Sequence, residues 1–220
     1  MSRPITVRAL LTRLCLVTGL VATGLAVPVA ANAAPASRPA VPAATATSED
    51  GDIGVTVVNG RPASENYSFL VYTSGCSASL IKANWVVTAK HCPTPSSVRV
   101  GSINRTSGGT VVGVARAVNH PTIDVKLFQL VSSVSYAPAP IPTSSGAVGT
   151  ATRIIGWGQT CPVRGCGSAP TVAHELDTSI VADSRCIGIN GPYEICTNNT
   201  NGNAGACYGD SGGPQVRMIN

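Results

Sequence analysis

Charged residues are scarce in this sequence: Asp, Glu, Lys and Arg make up 11 % of its 220 residues, and aromatics only 4 %. From Val57 onward eleven Lys/Arg stand against seven Asp/Glu, a net charge of about +4 with neutral histidines. The positive charges are scattered and lack interleaved aromatics, which argues against a nucleic-acid face. After the first 33 residues no apolar run is long enough to cross a bilayer. No helical pattern of three turns is visible there either. The cysteine spacings contain no Cys-x-x-Cys pair or Cys/His cluster, so a structural metal is not implied. Neither a metal nor an organic cofactor is expected.

What is abundant is glycine (23) and proline (16). Short apolar runs recur between turn residues: "FLVYT", "CSASLI", "NWVVTA", "SSVRVG", "TVVGVARAV" and "VKLFQLV", then "TRIIGWG", "HELDTSIV", "YEICTN" and "PQVRMI". They are Val/Ile/Thr-rich and are broken by Gly, Pro, Asn or Ser, the pattern of an all-β barrel or sandwich. The stretch 132–149, "SSVSYAPAPIPTSSGAVG", separates the two groups of strands and reads as a linker.

The N-terminus is of another kind. Arg3, Arg8 and Arg13 precede the apolar "LCLVTGLVATGLAVPVA", and Ala-Asn-Ala at 31–33 offers small residues for cleavage. Residues 1–33 therefore read as a signal peptide, and the protein as secreted and extracellular. Residues 34–56, rich in Ala, Pro, Ser and Thr, read as a removable pro-segment. In an oxidising compartment the seven remaining cysteines favour disulfides. Seven is odd, so one thiol lacks a partner.

Chemistry concentrates in three places. Ser211 stands in "GDSGGP", where glycines let the backbone turn its N–H groups toward a reacting atom; alone, the loop could equally be a tight turn. A serine nucleophile needs a base, and His91 in "NWVVTAKHC" follows an apolar strand. His120 and His174 read as surface or packing histidines. Asp124 in "IDVKLFQL" is an acid among apolar residues, a candidate buried partner for a histidine or a turn cap.

Together these segments resemble the chymotrypsin-like, trypsin-fold secreted serine proteases, of bacterial type. "VVTAKHC" is similar to the family's Thr-Ala-Ala-His-Cys, with Lys90 in place of the second alanine. "DVKLFQL" resembles its Asp-Ile-Ala-Leu-Leu-x-Leu strand, "GDSGGP" its nucleophile loop, and "GWG" at 156–158 a further marker. The chain order His, Asp, Ser agrees. The resemblance implies two antiparallel six-stranded Greek-key β-barrels with the active site between them. The protease domain is 57–220, with a first barrel at 57–135, a linker at 136–149 and an incomplete second barrel at 150–220.

It also implies roles: His91, Asp124 and Ser211 as catalytic triad, and the Gly209 and Ser211 N–H groups as oxyanion hole. "VVNG" at 57–60 resembles the start of an activated chain, so cleavage before Val57 would free an amino group to pair with Asp210. Because Thr56 precedes that bond, the activating protease is not Arg/Lys-specific. Gly205 and Ala206 fall at the specificity pocket, whose floor carries an aspartate in Arg/Lys-specific relatives; their neutrality implies apolar P1 residues. Implied disulfides are Cys76 with Cys92, Cys186 with Cys196 and Cys161 with Cys166, leaving Cys207 unpaired.

Partners are expected to be protein or peptide substrates and an activating protease, with no nucleic acid, no membrane after signal removal and a monomeric state. In the family two strands, a helix and a partner for Cys207 follow the nucleophile loop. The expectation is a serine endopeptidase precursor truncated at its C-terminus. The alternatives are an inactive protease-like chain acting as a binding module, and an esterase using the same triad.

Overall fold

The computed structural model describes residues 57–161, 168–198 and 204–217; the expected signal peptide and pro-segment lie outside them. The strands are β1 (Arg61–Pro62), β2 (Leu70–Tyr72), β3 (Ser77–Lys82), β4 (Trp85–Thr88), β5 (Ser97–Val100), β6 (Thr110–Asn119) and β7 (Lys126–Leu130). After the crossing come β8 (Ala151–Gly156), β9 (His174–Ile180), β10 (Thr197–Asn198) and β11 (Gln215–Arg217). Among the described residues the only helical element is a 3-10 turn at Asp183–Arg185. None is long and apolar enough to cross a membrane. The all-β expectation holds. The two-residue β1 was not foreseen, because Arg-Pro has no strand pattern of its own.

Strands β2-β3-β4-β7-β6-β5 close into an antiparallel barrel. Alternation explains its inside: Val86 and Thr88 on β4, Val98 and Val100 on β5, and Phe128 and Leu130 on β7 are buried while their neighbours are not. Register places Val86 opposite Phe128 and Val98 opposite Val112, so inward residues meet across strands. With Val71, Ala78 and Leu80 they form one core. Closure leaves no free edge in this barrel.

The second half is a five-stranded sheet of order β1-β9-β8-β11, with β10 also on β9. This accords with an incomplete second barrel. Tyr67, Leu70, Ile155, Trp157 and Ala173 make its core. The Pro-rich crossing carries no strand, and backbone bonds such as Ala139 N–H to the Leu80 carbonyl (2.8 Å) tack it down.

One buried acid holds β1 onto this sheet. Glu175 of β9 is fully buried. Its carboxylate accepts from Tyr67 OH (2.5 Å), Ser64 Oγ (2.9 Å) and Ser64 N–H (3.2 Å), and pairs with Arg61 (2.8 Å) and Arg153 (3.4 Å). Burial pushes its pKa up. The bonds from Tyr67 and Ser64 and the Arg153 charge more than offset this, leaving it below the ordinary carboxyl range. Removing one partner of such a cluster strands the others. Glu175→Ala is expected to cost about 3–5 kcal/mol, read as a fall in Tm on the order of 10 °C. The folded pKa is depressed, so this stability is present above the unfolded pKa and is lost as pH falls through the folded one. Parent and variant should therefore converge in acid; an equal gap at pH 7 and pH 3 would contradict the assignment.

Candidate active site

Pairing of β4 with β7 places Thr88 opposite Lys126. Residues just after β4 and just before β7 are therefore neighbours. After β4 the chain turns, with Cys92 N–H donating to the Ala89 carbonyl (3.2 Å), and the Cys76–Cys92 disulfide ties this turn to the start of β3. The buried Lys126 ammonium donates to the Cys92 carbonyl from below. Before β7, His120 Nδ1 accepts the N–H groups of Thr122 (3.3 Å) and Ile123 (3.2 Å), shaping the loop that delivers Asp124. His174 is buried at the head of β9.

His91 and Asp124 meet across this junction. His91 N–H donates to Asp124 Oδ1 at 2.9 Å, and His91 Nδ1 lies 2.7 Å from Asp124 Oδ2. A carboxylate only accepts, so the proton sits on Nδ1 and leaves Nε2 free to take one. Asp124 was expected to be buried, yet its side chain is 57 % exposed. The acid precedes β7 rather than lying within it, so it stands outside the barrel interior. What burial it has raises its pKa. The His91 side-chain and backbone bonds more than offset that, and it stays below the ordinary range.

The loop carrying Ser211 packs against the same turn. The Ser211 carbonyl lies 3.6 Å from Cys92 Sγ, next to His91. A cavity of about 340 Å³ lies between the two segments, lined by Thr88, Ala89, Asp124, Val125, Gly212 and Pro214. A larger one, about 840 Å³ and lined by Tyr67, Phe69, Ile81 and Ile141, touches none of His91, Asp124 and Ser211. Gly212 is required as glycine: its φ is +74°, and a Cβ would come 2.1 Å from Thr88 Oγ1.

Consecutive carbonyls of this loop are each held. Tyr208 O accepts from Gln159 N–H (2.7 Å), Gly209 O from Ser77 Oγ (3.0 Å), Asp210 O from Gly213 N–H (2.9 Å) and Ser211 O from Ser77 N–H (3.1 Å). In a trans peptide the N–H points opposite to its carbonyl. Holding the Tyr208 and Asp210 carbonyls therefore aims the Gly209 and Ser211 N–H groups.

Asp210 is 5 % exposed and accepts from Gly158 N–H (2.7 Å) and Cys207 N–H (3.0 Å). Burial pushes its pKa up to about 6 despite these bonds. This gives "GWG" a physical meaning: a Cβ on Gly158 would come 2.0 Å from Asp210 Oδ2. Val57 is fully buried, with φ at +37°, a strained value for a β-branched residue. Val58 O accepts from Gly205 N–H (3.3 Å), joining the "VVNG" segment to the expected pocket. A Cβ on Gly205 would meet nothing within 4 Å, and Ala206 beside it is exposed.

The sequence model of the family described as Trypsin matches residues 57–220. The chain belongs to the trypsin family. It is 32 % identical over 162 residues to Trypsin of Sus scrofa, covering 64 % of this chain and 68 % of that protein. It is 29 % identical over 181 residues to Trypsin 5G1 of Aedes aegypti, covering 69 % and 67 %. Cationic trypsin-3 of Rattus norvegicus is 31 % identical over 161 residues, covering 64 % of each. The chain thus spans about two thirds of the length of these relatives.

Within this trypsin-family chain the cysteines fall as follows. Cys76–Cys92 and Cys186–Cys196 are disulfides. Cys161 is disulfide-bonded; its expected partner, Cys166, lies outside the described residues. Cys207 is a free thiol whose Sγ donates to the Cys161 carbonyl (3.4 Å). The one grouping of metal-ligand types among the described residues, Cys76, His91 and Cys92, has both sulfurs in a disulfide, so it offers no thiolate. Sequence reasoning missed Ser77 and the Gly158 amide. Both act on the loop that carries Ser211 through bonds that span more than fifty residues of chain.

Proposed function

We propose that this chain is the protease domain of a secreted serine endopeptidase. The observation that carries the reading is the two-point hydrogen bonding of His91 by Asp124, beside a loop whose carbonyls are held and whose serine is Ser211. Ser211 Oγ attacks a peptide carbonyl while His91 Nε2 takes its proton. Asp124 keeps the other ring proton on Nδ1 and stabilises the imidazolium. The Gly209 and Ser211 N–H groups receive the oxyanion, and His91 returns the proton to the leaving amine. Water then hydrolyses the acyl-enzyme by the same route in reverse.

Residues 1–33 direct export, 34–56 form a pro-segment, and cleavage after Thr56 activates a monomeric enzyme. A lightly charged surface and a short pro-segment favour a bacterial-type enzyme acting on external protein. The test is a fluorophosphonate, which reacts with activated serines. One adduct by mass on the cleaved chain and none on Ser211→Ala is expected; a folded parent that stays unlabelled would sink the reading and favour a binding module. Paired amide and ester substrates separate a peptidase from an esterase.

The specificity reading rests on Gly205. Without an acid there, a basic P1 side chain would be buried unpaired at high cost. Apolar P1 residues are therefore preferred. The space beside Gly205 admits a carboxylate, and Gly205→Asp is expected to shift kcat/KM toward Lys and Arg by on the order of a hundredfold relative to Leu and Phe. An unchanged P1 profile would remove Gly205 from the pocket floor.

A further inference from the structure

We propose that Ser77 is a positioning residue for the oxyanion hole, acting through its hydroxyl. The inference rests on the serine-endopeptidase reading and deepens it. Of the four consecutive carbonyls from Tyr208 to Ser211, three are held by backbone N–H groups, and only Gly209 O is held by a side chain. That side chain is Ser77, fully buried on β3, on the strand face opposite the inward Ala78 and Leu80.

Its hydroxyl is used twice. Ser77 Oγ donates to Gly209 O at 3.0 Å and accepts from Trp157 N–H at 3.2 Å, so it joins the nucleophile loop to the end of β8. Its own backbone is fixed as well, by Ser77 N–H to Ser211 O (3.1 Å) and by Thr88 Oγ1 to Ser77 O (3.0 Å). The clamp falls where the loop is most free to turn. Gly209 has φ at +103°, in the region open to glycine, and no Cβ limits its rotation. The Gly209–Asp210 peptide lies between the Tyr208–Gly209 and Asp210–Ser211 peptides that carry the two donors. Its orientation therefore sets the angle between them and decides whether the Gly209 and Ser211 N–H groups converge on one point. Ser77 Oγ holds that peptide at its carbonyl, opposite the Asp210 N–H, which donates to the Cys207 carbonyl (3.0 Å). Oxyanion donors act in the transition state more than in the ground state, so the clamp should register in kcat.

The experiment uses the full chain cleaved before Val57, with kcat counted per fluorophosphonate-titrated site so that unfolded protein does not enter. Losing an oxyanion donor outright costs a hundredfold or more, and a loosened one is expected to cost about tenfold. Ser77→Ala should therefore lower kcat about tenfold and leave KM within about twofold. It should weaken a peptide boronate, a tetrahedral mimic, in proportion to kcat. Ser77→Thr, which keeps the hydroxyl, should recover most of the loss. An unchanged kcat, a rise in KM alone, or an equal loss in the Thr variant would overturn the proposal. Should Ser77→Ala fail to fold, Ser77→Gly removes the same hydroxyl with no methyl facing Gly209 O. Amide exchange over residues 207–213 reads the clamp without activity and should be faster in the variant; equal exchange counts against it. A parent that never labels refutes the endopeptidase reading instead, and leaves this exchange comparison standing.

Discussion

Ser211→Ala and His91→Ala are each expected to lower kcat by about a millionfold, and the double variant by no more than either alone, because nucleophile and base act as one unit. Asp124→Asn should cost about ten-thousandfold, with folding intact. The reason lies in the two-point contact. Asp124 Oδ1 accepts the His91 backbone N–H and Oδ2 faces Nδ1. A carboxylate accepts at both oxygens; an asparagine accepts at one and donates at the other. If its oxygen keeps the backbone bond, its NH₂ meets Nδ1 and forces the ring proton onto Nε2, where it blocks proton uptake from Ser211. If the amide flips, two donors face each other at the backbone. Single-turnover kinetics on a peptide amide would measure these losses. Additive losses in the Ser211/His91 pair, or full activity of Asp124→Asn, would contradict a coupled triad.

How much of this was legible beforehand varies with the physics of each part. The strands were, because Val, Ile and Thr runs such as "SSVRVG" report the inside-out alternation of a barrel wall directly. Barrel closure was legible only through the family resemblance, since β2 pairing with β5 depends on register between segments that share no local pattern. His91 and Ser211 stood out by residue type and flanks. Asp124 did too, but its burial was misjudged: apolar neighbours on β7 describe the strand, not the loop before it. Glu175 shows the opposite limit. Nothing in "HELDTSIV" says that one acid is fully buried, because its partners Arg61, Ser64, Tyr67 and Arg153 come from other stretches of chain. Ser77 was invisible for the same reason, its acceptor lying 132 residues away.

Cleaving the Thr56–Val57 bond is expected to change both stability and activity through Asp210. In the uncut chain, burial holds the Asp210 pKa at about 6, against about 4 for an exposed aspartate. The folded state then binds more protons than the unfolded state between these values, so stability falls as pH rises through that window. Above it the deficit is complete, about 3 kcal/mol for a shift of this size. Two backbone N–H groups do not neutralise the charge; a buried ammonium would. Cleavage supplies an α-amino group on the buried Val57 and also removes the constraint behind its strained φ of +37°. If that amine reaches Asp210, the carboxyl pKa drops below its ordinary value and the amine pKa rises above about 8. The sign then reverses: uncut protein should melt at a lower temperature at pH 7 than at pH 4, and cut protein at a higher one. Activity of the cut form should fade in alkali as the amine loses its proton, and acetylating that amine should abolish it at every pH. Asp210→Asn separates the two states, because it removes the pH dependence of the uncut chain while preventing activation of the cut one. If cut and uncut chains show the same melting profile, Val57 does not engage Asp210, and the nucleophile loop is held by Gly158, Gln159 and Ser77 alone.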